Sequence, residues 1–537
     1  MQNPDYIIVG SGPAGCVLAS RLTEDPTTTV LVLEAGGSDR RMIIQMPAAV
    51  PFAYQAKEIN WGFQSGPEPH LVGRYIDEKR GRVLGGSSCI NAMIFNRGNP
   101  RDFDGWEKLG ANGWSWRSCL PYFQRMETFA DAPSPWRGDS GPLKVSRCKA
   151  SFPIYDDFLR AGEKAGFAMT PDHNGRKQEG MHVAQAYIGD GVRSSASNAY
   201  LRPVLGRKNL QVQTEVHVTR ILMDGLKAIG VEVVHKGETK RFLCEREVIL
   251  AAGAFGSPQI LMQSGIGDPA QLRPLGIELR HALRDVGNHL ENHPGVNLQF
   301  TTEKKHSLVS KLGPIGRAKL GVEWLLLRQG LGTTNFFEVG AFLPTRSDVD
   351  YANVQLEFLP MLRKIENGKL VANAGCNFWV GLARPNSRGH VRLKTASPFD
   401  APEIVFNHLA EPDDVRDLAE GVDLAHRMVA QSPLASKIKH EISPGAGMTR
   451  EQLQAWIAAN VGTSYHPSGT CRMGHGDASV VDTAGRVHGM TGLRVVDASI
   501  MPRTVTGNIS ATVYMMAEKI SDQIRGRQPL LLNAALA

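Results

Sequence analysis

The stretch YIIVGSGPAGCVLASRL (residues 6–22) reads as a strand that runs through a glycine turn into a helix. Tyr6 to Val9 is β-branched and aromatic, and the apolar spacing of CVLASRL suits a helix. A second strand, Val30 to Leu33, follows. The order strand, turn, helix, strand is one βαβ unit of a parallel sheet. Gly10, Gly12 and Gly15 form GxGxxG in the turn, with Ser11 between the first two. The first glycine permits the tight turn, the second lets backbone approach a pyrophosphate, and the third lets the helix pack closely on the strand. The helix N-terminus turns unpaired N–H groups and a positive dipole end toward phosphate. Glu34 ends the next strand 19 residues after Gly15, and Ala35 follows it. A carboxylate there accepts hydrogen bonds from ribose hydroxyls and disfavours a 2′-phosphate. The motif therefore indicates a dinucleotide site and leaves FAD and NAD both open; the bland alternative is an ordinary glycine turn.

Working outward, 537 residues exceed what one hydrophobic core usually organises, so two interleaved or consecutive domains are expected. Hydrophobic residues at 42% and charged residues at 21% are ordinary globular usage. The net charge of +7 is spread along the chain and implies no nucleic-acid partner. Seven scattered cysteines without CxxC pairing favour neither disulfides nor a zinc site, so no metal is expected. No leader is visible before the first strand, and no segment approaches the ~20 apolar residues that span a bilayer. A cytoplasmic location is the expectation. The basic stretch Lys304 to Lys319, before the apolar run Trp324 to Leu327, is suited to touch an anionic membrane surface peripherally; the alternative is a solvated face beside a core helix.

Four segments follow from the pattern. Residues 1–155 hold the dinucleotide-binding start, a glycine-rich loop at Gly81 to Ser88, and a Trp-rich stretch expected to pack internally. Residues 156–293 are mixed; short strands from about Val212 to Ala252 read as sheet additions to the first domain. Residues 294–455, richer in aromatics, read as the main part of a substrate domain. Residues 456–537 end in an apolar strand, LRVVDAS, and a helix that return to the first sheet. The fold class is α/β: a doubly wound domain plus a second domain.

The stretches RGRVLGGSSCINAMIFNRGN (Arg80 to Asn99), GAFGSPQILMQSGIG (Gly253 to Gly267), DVGNHLENHP (Asp285 to Pro294), SYHPSGTCRMG (Ser464 to Gly474) and LRVVDASIMPRTVTGNISAT (Leu493 to Thr512) resemble the glucose-methanol-choline (GMC) oxidoreductases. The likeness covers nearly the whole chain and is strongest to the bacterial choline dehydrogenase-like branch. It implies an FAD-binding domain and a substrate domain built on an antiparallel sheet flanked by helices. It further implies that Val83, Gly85, Gly86 and Asn91 hold the flavin and pyrophosphate, beside Gly10, Ser11, Gly12, Gly15, Glu34 and Ala35. Val218 would meet the adenine through its backbone, and Asp497 and Ala498 would lie near the flavin phosphates. Some members tether the flavin through a histidine before the conserved asparagine. Here Ile90 precedes Asn91, so non-covalent FAD is expected.

By the same resemblance, His466 and Asn508 face the flavin N5 across the substrate carbon. Oxidising an alcohol requires a base of near-neutral pKa on the hydroxyl proton while hydride leaves the same carbon for N5. His466 suits that task, and Asn508 orients the hydroxyl by hydrogen bonding. His293 also falls in a shared motif, but reads as a satisfied loop histidine. Tyr465, Glu338 and Trp61 resemble residues that line the cationic pocket of choline-oxidising relatives, although Trp and Glu at those positions also serve uncharged alcohols. The primary expectation is an FAD-dependent dehydrogenase for a primary or sugar-like alcohol. A choline dehydrogenase or oxidase, or a non-redox lyase, are the alternatives. The electron acceptor, quinone, dye or O2, is not written in the motifs.

Overall fold

The computed structural model describes residues 3–131, 133–366, 369–445, 447–476, 478–533 and 536. Its first organising element is a five-stranded parallel sheet in the order Leu210–Gln213, Val30–Leu33, Tyr6–Val9, Glu247–Leu250, Leu493–Val495. Every residue of the Tyr6–Val9 and Val30–Leu33 strands is buried, as expected of strands covered on both faces. The chain places its second and third strands on one side of Tyr6–Val9 and its fourth and fifth on the other. The order reverses at the C-terminal end of Tyr6–Val9, where open α/β sheets bind their ligands. The helix Pro13–Leu22 starts there and packs against the C-terminal helix Ser510–Ile524. That second helix is buried from Ala511 to Asp522. Its Glu518 carboxylate is offset by Arg21 at 2.8 Å and Arg125 at 2.7 Å, the pairing a buried charge requires.

The second element is an antiparallel sheet in the order Ile438–Ser443, Pro294–Thr302, Cys376–Leu382, Val354–Leu359, Val339–Leu343, Gly180–Val183. Side chains alternate across it. Val296, Leu298, Leu356, Phe358, Phe378 and Val380 are wholly buried. The sheet packs against the helices Pro412–Val429 and Pro153–Lys164. A Cβ on Gly421 would lie 2.9 Å from Val380 Cγ1, so helix and sheet approach closely there. The intervening residues pair as Asn297 with Trp379, Glu357 with Trp379, and Gln299 with Asn377. They form a polar face turned back toward the parallel sheet, and the site lies between.

Strand pairing adds detail to the sequence reading. Val216–Asp224, Lys227–His235 and Glu238–Leu243 do not extend the parallel sheet; they form their own three-stranded antiparallel sheet. Only the strands flanking them, Leu210–Gln213 and Glu247–Leu250, join the first sheet. The segments also exchange strands: Gly180–Val183 and Gly462–Thr463 both pair into the antiparallel sheet. The Trp-rich stretch packs inside, with the Trp106 and Trp114 indoles donating to the carbonyls of Arg503 and Thr483.

Candidate active site

A cavity of about 730 Å³ runs from the glycine turn to the polar face of the antiparallel sheet. At its first end, Gly10 takes φ +97°, and a Cβ there would lie 2.6 Å from the Ala251 carbonyl oxygen. A Cβ on Gly15 would stand 2.0 Å from the Gly10 oxygen, so only glycine lets the helix sit on this turn. A Cβ on Gly12 would meet nothing within 4 Å, while Gly86 backs onto the Gly12 Cα. Bare backbone thus faces open space at the helix N-terminus, which is the cradle a pyrophosphate needs. Glu34 lines the cavity, and its carboxylate accepts from the Ser11 N–H (2.9 Å), the Ser11 hydroxyl (2.7 Å) and the Gly36 N–H (2.8 Å). Asp497 accepts from the N–H groups of Gly253 and Ser499 and from the Ser257 hydroxyl. Burial raises the pKa of both acids.

Ala35, Asn91, Val218 and Ala498 also line this cavity. Ser11, Gly15, Val83 and Gly85 stand behind its wall. Val83 is buried and bridges to Gly37, and the Gly85 N–H donates to the Ser11 carbonyl. Asn91 is held by Arg193, which donates to its side-chain oxygen at 2.8 Å and its carbonyl at 2.7 Å. Ile90, buried beside it, offers no nucleophile.

At the other end the SYHPSG loop carries His466. Tyr465, just before it, takes φ +64°, an unfavourable conformation for an aromatic residue. The Arg80 guanidinium holds the Tyr465 carbonyl at 2.6 Å, and Asn292 Oδ1 takes the His466 N–H at 2.8 Å. His466 Nε2 lies 3.1 Å from Asn508 Nδ2, and His466 Nδ1 lies 2.9 Å from His293 Nδ1. The orientation of the Asn508 amide is fixed because Asn96 (2.5 Å) and Gln355 (3.1 Å) both donate to its Oδ1. Its Nδ2 therefore donates to His466 Nε2, which must present a lone pair. The His466 proton then sits on Nδ1 and is donated to His293. Burial, followed by His293 and Arg80, holds His466 well below the usual imidazole range; burial brings His293 down to about 4. Both rings are neutral at neutral pH. His293, read from sequence as a satisfied loop residue, has His466 as its partner.

The three residues expected at the substrate do not share one place. Tyr465 lines the cavity and packs edge-on against Tyr54, with ring centroids 5.0 Å apart. Trp61 also lines it, but its ring partners are Phe63 and His217, next to Val218, with the Arg82 guanidinium 5.0 Å away. Glu338 is a correction. It lines a separate cavity, where the Thr334 hydroxyl and the backbone of Ala150 and Ser151 bind its carboxylate. The carboxylate that faces the site is Glu357, bonded to Gln355 at 3.0 Å and to Asn508, and burial raises it to about 7. Arg363, Trp379, Asn297 and Gln299 were missed as well. For Asn297, Gln299, Glu357 and Trp379 the signal was there, since VNLQF, VQLEF and CNFWV place polar or amphipathic residues at every second position; Arg363 lies outside these stretches.

Together these features define a dinucleotide-binding protein with a buried histidine and an asparagine in contact at the end of its cofactor groove. Residues 4–295 match the N-terminal family model of the GMC oxidoreductases, and residues 385–517 match the C-terminal one. The chain belongs to the GMC oxidoreductase family and is an FAD-dependent alcohol-oxidising enzyme. It is 44% identical to the oxygen-dependent choline dehydrogenase of Staphylococcus xylosus, over 98% of this chain and 96% of that one. It is 42% identical to that of Chromohalobacter salexigens, over 98% and 95%. Among solved structures it resembles pyridoxine 4-oxidase from Mesorbium loti, with TM-score 0.88, 29% identity and coverage of 98% and 100%. It also resembles formate oxidase from Aspergillus oryzae RIB40, with TM-score 0.91, 26% identity and coverage of 98% and 99%.

Proposed function

We propose that the enzyme oxidises a primary or sugar-like alcohol to the carbonyl compound, with His466 as general base and Asn508 orienting the hydroxyl. The observation that carries this reading is the chain Asn508, His466, His293, which leaves a neutral imidazole lone pair at the cavity wall. A substrate hydroxyl that enters beside Asn508 Nδ2 donates its proton to His466 Nε2. The Asn508 N–H then supports the oxygen as negative charge develops on it. His293 accepts from Nδ1 throughout and keeps the base in one tautomer. The glycine cradle and Asn91 would hold FAD non-covalently, and the bound flavin would supply the acceptor for the hydride. Anaerobic titration of the purified protein at the flavin absorption band, against an alkanol, a sugar alcohol, an aromatic alcohol and choline, tests this. Bleaching in the dark supports it; none with any alcohol sinks it in favour of a non-redox relative.

The relatives' names make choline the second reading, and Tyr54, Tyr465 and Trp379 provide aromatic faces of the kind that attract quaternary ammonium groups.

No helix among the described residues is long and apolar enough to cross a membrane. The helix Pro314–Leu327 nevertheless buries only Trp324, while Ile315 (87%), Leu326 (72%) and Leu327 (62%) are exposed. Exposed Lys304, Lys305, Lys311, Arg317 and Lys319 surround it. We read this face as a peripheral contact with anionic lipid from the cytoplasmic side, within reach of a quinone acceptor.

A further inference from the structure

We propose that the alcohol accepted by this site carries a carboxylate, and that Arg363 is the residue that selects it; the inference rests on the alcohol-oxidising reading above. Arg363 lies on the strand Leu362–Glu366 and lines the same cavity as His466 and Asn508. Its side chain is exposed along the cavity that it lines, and desolvation there lowers its pKa. A guanidinium starts from so high a pKa that it stays charged even so.

What singles it out is the absence of a partner. The guanidinium rests 5.4 Å from the centre of the Phe337 ring, and among the described residues it makes no hydrogen bond or ion pair. The other ionised groups at this end are satisfied: Arg80 pairs with Glu78 at 3.0 Å and holds the Tyr465 carbonyl. Glu357 acts on Arg363 through space, but its carboxyl is bonded to Gln355 and Asn508, and burial favours its neutral form. The acids at the cofactor end, Glu34 and Asp497, are saturated by their own loops. Five N–H donors thus face a partly enclosed space beside Tyr54 and Tyr465 without an acceptor.

A charged donor set that lines a cavity and finds no acceptor in the protein is open to a ligand that supplies one. The planar fork of a guanidinium fits a carboxylate in two parallel hydrogen bonds. The pyrophosphate cradle lies at the opposite end of the cavity, so the cofactor does not account for this residue. The aromatic faces of Tyr54 and Tyr465 alone would accept an ammonium group, but a cation placed there meets the uncompensated Arg363 charge. The structure therefore favours an acidic alcohol over the uncharged one read from sequence and over choline.

The test compares the holoenzyme with Arg363→Gln and Arg363→Lys, using 4-(hydroxymethyl)benzoate, benzyl alcohol and choline. Wild type should give a kcat/KM at least tenfold higher for the carboxylated alcohol than for benzyl alcohol, with choline lowest. Arg363→Gln should erase that ratio through KM, and Arg363→Lys should restore part of it. Choline matching the carboxylated alcohol in wild type, or an unchanged ratio in Arg363→Gln, overturns the proposal. A second measurement needs no turnover: benzoate should perturb the flavin spectrum of the oxidised holoenzyme and bind at least tenfold more weakly to Arg363→Gln, while benzyltrimethylammonium should not perturb it. Benzoate binding that depends on Arg363 without bleaching by any alcohol would refute the oxidation reading and leave the anion site standing. Benzoate binding indifferent to Arg363 would refute the anion site.

Discussion

His293 and His466 meet through their Nδ1 atoms at 2.9 Å, and this contact, with Asn508 on the opposite ring nitrogen, leaves Nε2 as the nitrogen that acts as base in the proposed reaction. His293→Ala removes the acceptor and frees the ring to take the other tautomer. We expect about a fivefold loss of flavin reduction rate, the effect of one neutral hydrogen bond of about 1 kcal/mol. His293→Gln, whose amide oxygen still accepts, should recover most of it. Equal losses in both variants would mean that packing, not tautomer control, is what His293 supplies.

The pH dependence has a definite sign. His466 is held below its ordinary value, so kcat/KM should fall only at a pH below the ~6.5 of a free imidazole. Glu357, raised to about 7, is neutral below that pH and becomes a carboxylate above it. Charge then appears near Arg363, and KM for an acidic alcohol should rise above pH 7. In Glu357→Gln that rise should disappear; a persisting one would exclude Glu357 as its source.

Gly15→Ala tests the cradle. The added Cβ meets a backbone oxygen at 2.0 Å, a neighbour that moves only with the glycine turn. The cost should equal or exceed the ~1–3 kcal/mol of ordinary overpacking, read as a lower melting temperature together with substoichiometric FAD. Normal FAD content at normal stability would show that the helix sits elsewhere.

The exposed face of Pro314–Leu327 gives a separate test. Wild type should co-sediment with vesicles containing anionic phospholipid, more weakly as salt rises. Replacing Ile315, Leu326 and Leu327 by Ser should abolish that binding while leaving flavin content unchanged. Unaltered sedimentation would assign the patch to another partner.

The parallel unit was legible because a strand, three glycines at fixed spacing and an acid report purely local geometry. The proposed catalytic pair was not legible in that way: one histidine among 16 carries no local mark, and His466 emerged only through its motif. Long-range contacts decided the rest. Glu338 is captured by backbone near residue 150, and Glu357 reaches the site because the helices Pro412–Val429 and Pro153–Lys164 take the apolar face of its sheet. Alternation revealed two faces in VQLEFL, but which of them looks onto a cavity depends on what packs against the other. That Val216–Asp224 belongs to its own antiparallel sheet was not legible for a related reason, since strand-like sequence does not state which sheet a strand joins.

Anaerobic stopped-flow reduction of the FAD-loaded enzyme by its best alcohol, in wild type, His466→Ala and Asn508→Ala, tests the central claim most directly. The account predicts unchanged FAD content, a rate at least ~100-fold lower in His466→Ala, and a milder loss in Asn508→Ala, which removes a hydrogen bond but not the base. A near-normal rate in fully loaded His466→Ala would contradict it.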